Sequence, residues 1–202
     1  MRGSTLFTDL GPAPFWYSAM GGFAVSGTGA GAGANSVANL FTVSGTGNFP
    51  VTGIDLAVGY STAPDAFYAS IWTDSNGSPG SQVAGAYWSL FASDLESDCC
   101  SLVSVTGITG VTLTGGQQYF MFLGPLSAAD NSDNEWHSNN QGVTGLTRQS
   151  VNGGWAVTTG NSLGAFDVTS DAATPEPATW PMLLGLAGMG LWRRFRRRSA
   201  AT

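Results

Sequence analysis

The sequence predicts an all-β protein, an antiparallel β-sandwich of the jelly-roll type, followed by one C-terminal membrane-spanning helix. Three observations carry the β assignment. The chain has 29 Gly among 202 residues, with no Lys and only three Glu, a poor composition for helices. Its apolar segments mix β-branched and aromatic residues in near alternation, the period of a strand with one face buried. Turn-forming Gly, Asn, Asp and Pro recur between them at the spacing of a sandwich. Hydrophobic residues make up 43% of the chain, enough for a core, and the 11% aromatic content argues against disorder.

The elements follow in order. The apolar run at 14–25 is broken by Pro14, Gly21 and Gly22 and is given no strand. Gly27-Thr28-Gly29-Ala30-Gly31-Ala32-Gly33 is a flexible loop, and with no helix after it a phosphate-binding role is unsupported. Strands are expected at 38–44, 51–59 and 66–73. Asp74-Ser75-Asn76-Gly77-Ser78-Pro79-Gly80 then reads as a hairpin connection to a strand at 82–91. Further strands are expected at 102–108, 111–114, 118–123, 135–137, 154–158 and 164–168. This makes residues 1–170 one extracellular sandwich domain, 171–177 a linker, 178–192 a transmembrane helix and 193–202 a basic cytoplasmic tail.

Charge divides the chain in the same place. Residues 1–174 hold 12 acids against Arg2 and Arg148, a balance of −10, while residues 175–202 hold five Arg against Glu176, a balance of +4. An acidic body cannot neutralise phosphates, so nucleic acid is excluded as its partner. The 16 residues between Glu176 and Arg193 carry no charge and would span roughly 24 Å as a helix. Trp180 and Trp192 stand near its ends, and Arg193, Arg194, Arg196, Arg197 and Arg198 follow. Such a cluster stays on the cytoplasmic side and leaves the body outside. Pro181 falls in the first turns, where proline is tolerated.

Pro175-Glu176-Pro177, an apolar stretch rich in small residues and a terminal Arg cluster together resemble the PEP-CTERM sorting signal of Gram-negative bacteria that make exopolysaccharide. The resemblance covers Pro175 to Thr202. It implies processing near the triplet by an exosortase, a membrane cysteine protease-transpeptidase, with a transient stay in the inner membrane. Pro-x-Pro suits this role because it holds the backbone extended. An exported protein needs an N-terminal signal, yet Asp9 interrupts the first residues where an apolar core belongs. A signal peptide upstream of Met1 is the expectation.

The body has its own set of short motifs. They are Asn35-Ser36-Val37-Ala38, Phe41-Thr42-Val43, the 74–80 turn, Leu113-Thr114-Gly115-Gly116-Gln117-Gln118-Tyr119, Trp136-His137-Ser138-Asn139, Gly142-Val143-Thr144-Gly145, Gly153-Gly154-Trp155 and Gly164-Ala165-Phe166-Asp167-Val168. In this order they resemble the choice-of-anchor β-sandwich domains, type R in particular. The resemblance implies an extracellular module and brings no catalytic residue with it.

Cys99 and Cys100 are adjacent and are the only cysteines. Their Cα atoms, about 3.8 Å apart, fall below the usual disulfide range of about 4.4–6.8 Å. A vicinal bridge in a tight turn, free thiols and intermolecular bonds all stay open. Asp94, Glu96 and Asp98 would raise the thiol pKa values and disfavour a nucleophilic role. Among the acidic loops, Asp130, Asp133 and Glu135 are the best calcium candidates, although the run lacks the twelve-residue EF-hand pattern. His137, the single histidine, belongs to no zinc spacing and no positioned triad. No Gly-x-Ser-x-Gly elbow is present, and no catalytic residue is assigned. Trp72, Trp88, Trp136 and Trp155, with Tyr68, Tyr87 and Tyr119, are candidates for a sugar-stacking face. Trp72 and Trp88 lie in strong strands and are expected in the core, whereas Trp136 and Trp155 lie beside polar loops and are the expected exposed pair.

The sequence therefore points to an exported structural protein of the cell surface or exopolysaccharide matrix, processed by an exosortase. Its alternative is a carbohydrate-binding or adhesion module, calcium-dependent if the acidic loop is a site. An aromatic row exposed on one sheet favours the module, and a deep pocket with converging carboxylates favours a secreted hydrolase.

Overall fold

Alternating β-branched and aromatic residues become strands throughout the body. The computed structural model describes residues 4–31, 33–62, 66–94 and 101–171. In chain order the strands are β1 (Ser4–Thr8), β2 (Gly22–Ser26), β3 (Asn35–Thr42), β4 (Asn48–Leu56), β5 (Val58–Thr62), β6 (Ala66–Asp74), β7 (Pro79–Phe91) and β8 (Ser93–Asp94). They continue with β9 (Val103–Thr106), β10 (Thr112–Thr114), β11 (Gln118–Gly124), β12 (Asp133–His137), β13 (Thr144–Val151), β14 (Gly154–Ser162) and β15 (Phe166–Ser170). Among the described residues helix is confined to one 3-10 turn at Thr28–Ala30, and no helix is long and apolar enough to cross a membrane. The apolar stretch at 178–192, the Pro-Glu-Pro triplet, the Arg cluster and Cys99-Cys100 lie outside the described residues.

The strands form two sheets. The smaller has the order β1-β15-β4-β10, with β9 also on β4. The larger has the order β7-β6-β11-β3-β2-β12-β5-β8, with β13 also on β3 and β14 on β13. Pairing is antiparallel except for the short β5–β8 contact. A jelly roll would divide eight strands between two sheets; here the division is five and ten, and much of the surplus comes from the β13–β14 hairpin and short edge pieces. β1, β2, β8 and β13 arise where the sequence predicts no strand. The expected 51–59 strand is cut at Ala57, where the chain leaves one sheet for the other. The 74–80 turn closes the β6–β7 hairpin as expected. Asn76 and Gly77 both have positive φ (53° and 77°), and Asp74 Oδ1 accepts from Gly77 N at 2.7 Å.

Side chains from both sheets share one core. Leu6, Ile54, Leu56, Leu113 and Val168 from the small sheet meet Val25, Val37, Phe67, Ile71, Met121 and Leu123 from the large one. Burying each such side chain contributes about 1.5–3 kcal/mol. Phe166 is the aromatic hub. Its ring lies 4.7 Å from Phe7, 5.5 Å from Phe41 at 83°, and 5.7 Å from Trp136. Trp136 is fully buried and its indole N–H donates to Ala165 O at 3.1 Å. Gly164 lies flat against the indole, since a Cβ there would meet Trp136 Cδ2 at 2.5 Å.

The end of β1 is fixed by a buried acid. Asp9 is 1% exposed; its backbone N–H donates to Phe166 O at 3.2 Å and its Oδ1 accepts from Phe166 N at 2.7 Å. Burial pushes its pKa up from 3.8 to about 7, the Phe166 N–H opposes this, and nearby Asp167 adds to it. The folded state thus holds this proton more tightly than the unfolded chain does. The stability it contributes is full below about pH 4 and is lost as pH rises toward 7. The gap corresponds to about 4 kcal/mol at most. Thermal melts of wild type and Asp9→Asn between pH 4 and 8 should show the variant gaining relative stability as pH rises. A difference that does not change with pH would overturn the assignment.

Candidate functional site

The outer face of the large sheet carries an aromatic cluster that the inter-sheet core does not use. Alternation along β6 sends Phe67, Ala69 and Ile71 inward and leaves Tyr68, Ser70 and Trp72 outward. On β11, Tyr119, Met121 and Leu123 face the core, while Phe120 and Phe122 face out. Ala38 and Leu40 of β3 and Leu146 of β13 complete this second cluster. Tyr68 stacks on Tyr87 of β7 at 5.1 Å and on Phe122 at 5.5 Å. Phe122 also meets Trp72 at 5.6 Å and the edge of Trp155, on β14, at 5.6 Å and 72°.

The Trp155 contact shows how the sheet is shaped. β11 and β14 are three strand spacings apart through β3 and β13, about 14 Å if the sheet were flat. Their rings nevertheless touch, so the β13–β14 hairpin curls over the outer face. Arg148 of β13 crosses the same gap, and its Nε donates to Gly77 O in the β6–β7 turn at 2.6 Å. Ala38, Phe120 and Phe122 are buried beneath this arrangement, while Trp155 and Tyr87 remain 45% and 46% exposed. Polar groups sit among the rings. Trp72 Nε1 donates to Ser70 Oγ at 2.8 Å. Burial, with Tyr87 adding to it, pushes the Tyr68 phenol up to about 12, so it stays protonated.

The seven aromatic candidates divide cleanly. Trp72, Trp155, Tyr68 and Tyr87 lie on the outer face, and Trp88, Trp136 and Tyr119 pack on the core. Trp155 is exposed as expected. Trp136 is not: it is fully buried and its face is closed to any sugar. Its polar neighbours Asp133 and Glu135 take the alternate positions of β12 and leave Trp136 pointing inward. Trp72, expected in the core, is half-buried on the outer face because Ile71 holds the inward position. Phe122 was missed. The unbroken run Tyr119-Phe120-Met121-Phe122-Leu123 was its signal, since a strand apolar on both faces is covered on both.

The acidic candidates lie in β12 and the loop before it. Asp130 Oδ1 accepts from Ser132 N and Ser132 Oγ at 3.1 and 2.5 Å, and Oδ2 accepts from Ser127 N at 3.1 Å, so the carboxylate builds its own loop. Asp133 stands in β12 opposite Ser26 and Thr62. Glu135 Oε1 is 3.8 Å from His137 Nδ1. Among the described residues no three His, Cys, Asp or Glu side chains gather to hold a metal. His137 is buried and stacked on Tyr17 at 4.9 Å; burial lowers its pKa, with Glu135 opposing. Two carboxylates do converge elsewhere. Asp55 and Asp167 face each other across β4 and β15 in an open cleft of about 350 Å³, with Trp16, Thr5 and Thr169 in its lining. Ser104 Oγ donates to Asp55 there.

Residues 173–198 match the family model of the PEP-CTERM protein-sorting motif. No curated protein matches the chain.

The two tryptophans should separate in a denaturant experiment. Trp136→Ala is expected to cost about 3–5 kcal/mol of unfolding free energy through its cavity. Trp155→Ala should cost about 1 kcal/mol or less. Similar costs for both would contradict the inner and outer assignment.

Proposed function

We propose that this protein is a structural component of the cell surface or exopolysaccharide matrix, and that its body holds neutral polysaccharide on the aromatic outer face of the large sheet. The sorting motif at 173–198 marks an exported protein handled by an exosortase at the membrane. Pro175-Glu176-Pro177 is the processing site in this reading, 178–192 the transient inner-membrane helix and Arg193–Arg198 the cytoplasmic stop. The choice-of-anchor resemblance of the body fits the same assignment.

The observation that carries the polysaccharide reading is the cluster of Tyr87, Tyr68, Trp72 and Trp155 around Phe122. Pyranose rings present flat C–H faces that pack on aromatic faces, while phenol and indole N–H groups serve the hydroxyls. Charge selects the polymer. Arg148 is the single cation between residues 3 and 192, against ten Asp and three Glu in the whole chain, so uronate-rich or sulfated chains are repelled. The reading assigns no catalytic step to the body and needs no cofactor; calcium enters only as a condition of the test.

Two measurements address it. The full chain, applied to neutral and acidic polysaccharides with and without calcium, should retain the neutral ones in both conditions. Replacing Trp155 and Tyr87 together by Ala should weaken retention about tenfold or more. Unchanged retention by that variant, or preference for acidic polymers, would sink the polysaccharide reading. Separately, Glu176→Gln should leave the fold intact and cause unprocessed chain to accumulate in membranes; normal processing would refute the triplet as the site.

A further inference from the structure

We propose that β14 pairs edge to edge with β14 of a second copy of this chain, joining two large sheets into one. Among the described residues β14 has a single neighbour, β13, so its other edge presents unpaired N–H and C=O groups. Natural sheets guard such edges with charge, proline, bulges or short length. The other free edges here are guarded. β7 begins at Pro79 and its register with β6 slips twice, with Gly85 at φ 76°. β1 has five residues and a slip between Thr5 and Phe7, and β8, β9 and β10 have only two, four and three residues.

β14 has none of these protections over most of its length. Its nine residues, Gly-Trp-Ala-Val-Thr-Thr-Gly-Asn-Ser, contain no charge and no proline. They stay in continuous register with β13 from Gly154 to Thr159, before a slip at Gly160. Trp155, Ala156, Val157 and Thr159 are exposed, and Trp, Val and Thr favour strand.

Charge identifies the occupant. The body carries −10, so contact between two copies is opposed wherever acids meet, and β13–β14 is a hairpin without an acid. A second β14 brings no charge of either sign against the first. Antiparallel pairing about a twofold axis, with Val157 opposite its own counterpart, sets Trp155 against Thr159 of the other copy, and the pairs on the face that carries Trp155 are β-branched or aromatic. The axis is normal to the sheet there, which keeps both outer faces on one side. The joined aromatic faces would then bind a polysaccharide bivalently. That consequence rests on the preceding functional reading; the pairing itself does not.

The test places a photo-crosslinking benzoylphenylalanine at Val157 in the full chain, in exporting cells and after purification in mild detergent. A crosslinked species of twice the chain mass is expected, with none from the same probe at Gln82 on β7. The double variant Ala156→Lys with Thr158→Lys should sediment as a monomer where wild type is a dimer. No self-crosslink from 157, a crosslink only to other proteins, or a wild type that stays monomeric on concentration would each overturn the pairing. Crosslinking uses a chain that differs at one exposed position, so it holds even if the double variant fails to fold. Loss of polysaccharide retention with dimerisation intact would refute only the functional reading.

Discussion

The two sheets are held together at one corner, and the rest of the body is arranged around it. The chain passes from the small sheet to the large one at Ala57, where its N–H donates to Ala165 O at 3.1 Å and its C=O accepts from His137 N at 2.9 Å. Ala165 N in turn donates to His137 O at 2.7 Å. Three segments far apart in sequence therefore meet in a buried backbone network, and Trp136 caps it by donating to the same Ala165 carbonyl. Buried peptide groups need partners, so none of the three segments can shift alone. Gly164 is required here because no side chain fits between backbone and indole.

That corner also explains why the outer face is free for another use. Trp136 and Phe166 fill the inter-sheet space, so the aromatic residues on the other side of β6 and β11 play no part in joining the sheets. Phe120 and Phe122 are covered by a hairpin that reaches over from beyond β3, while Tyr87 and Trp155 stay exposed. Arg148 anchors it through a backbone carbonyl of the β6–β7 turn rather than through an acid. A charge-assisted bond of this kind is shorter and stronger than a neutral one, which suits a contact spanning a curled sheet.

Much of this was legible in the sequence, for definable reasons. Strands with one polar and one apolar face, such as Val103–Thr106, declare themselves by alternation, and Asn76-Gly77 names its own turn. The sorting motif is linear and was read from residues alone. What escaped depended on which residues alternate with which. The polar neighbours of Trp136 suggest an exposed ring, although those neighbours are what turn it inward. β13, Thr-Gly-Leu-Thr-Arg-Gln-Ser-Val, has little apolar content, because its partners are β3 on one side and β14 on the other and its packing comes mainly from Leu146. The curl that brings Trp155 to Phe122 is a property of four strands together and leaves no local trace.

Arg148 has one more consequence. Proteases of the trypsin type cut after Lys or Arg, and between residues 3 and 192 this arginine is the only one and lysine is absent. The single scissile bond, Arg148 to Gln149, lies in the middle of β13, with β3 and β14 paired on either side. Cleavage requires an extended, detached segment, so that bond is reached only when the hairpin opens. Between residues 3 and 192 such enzymes meet one site, and the fold keeps it shut.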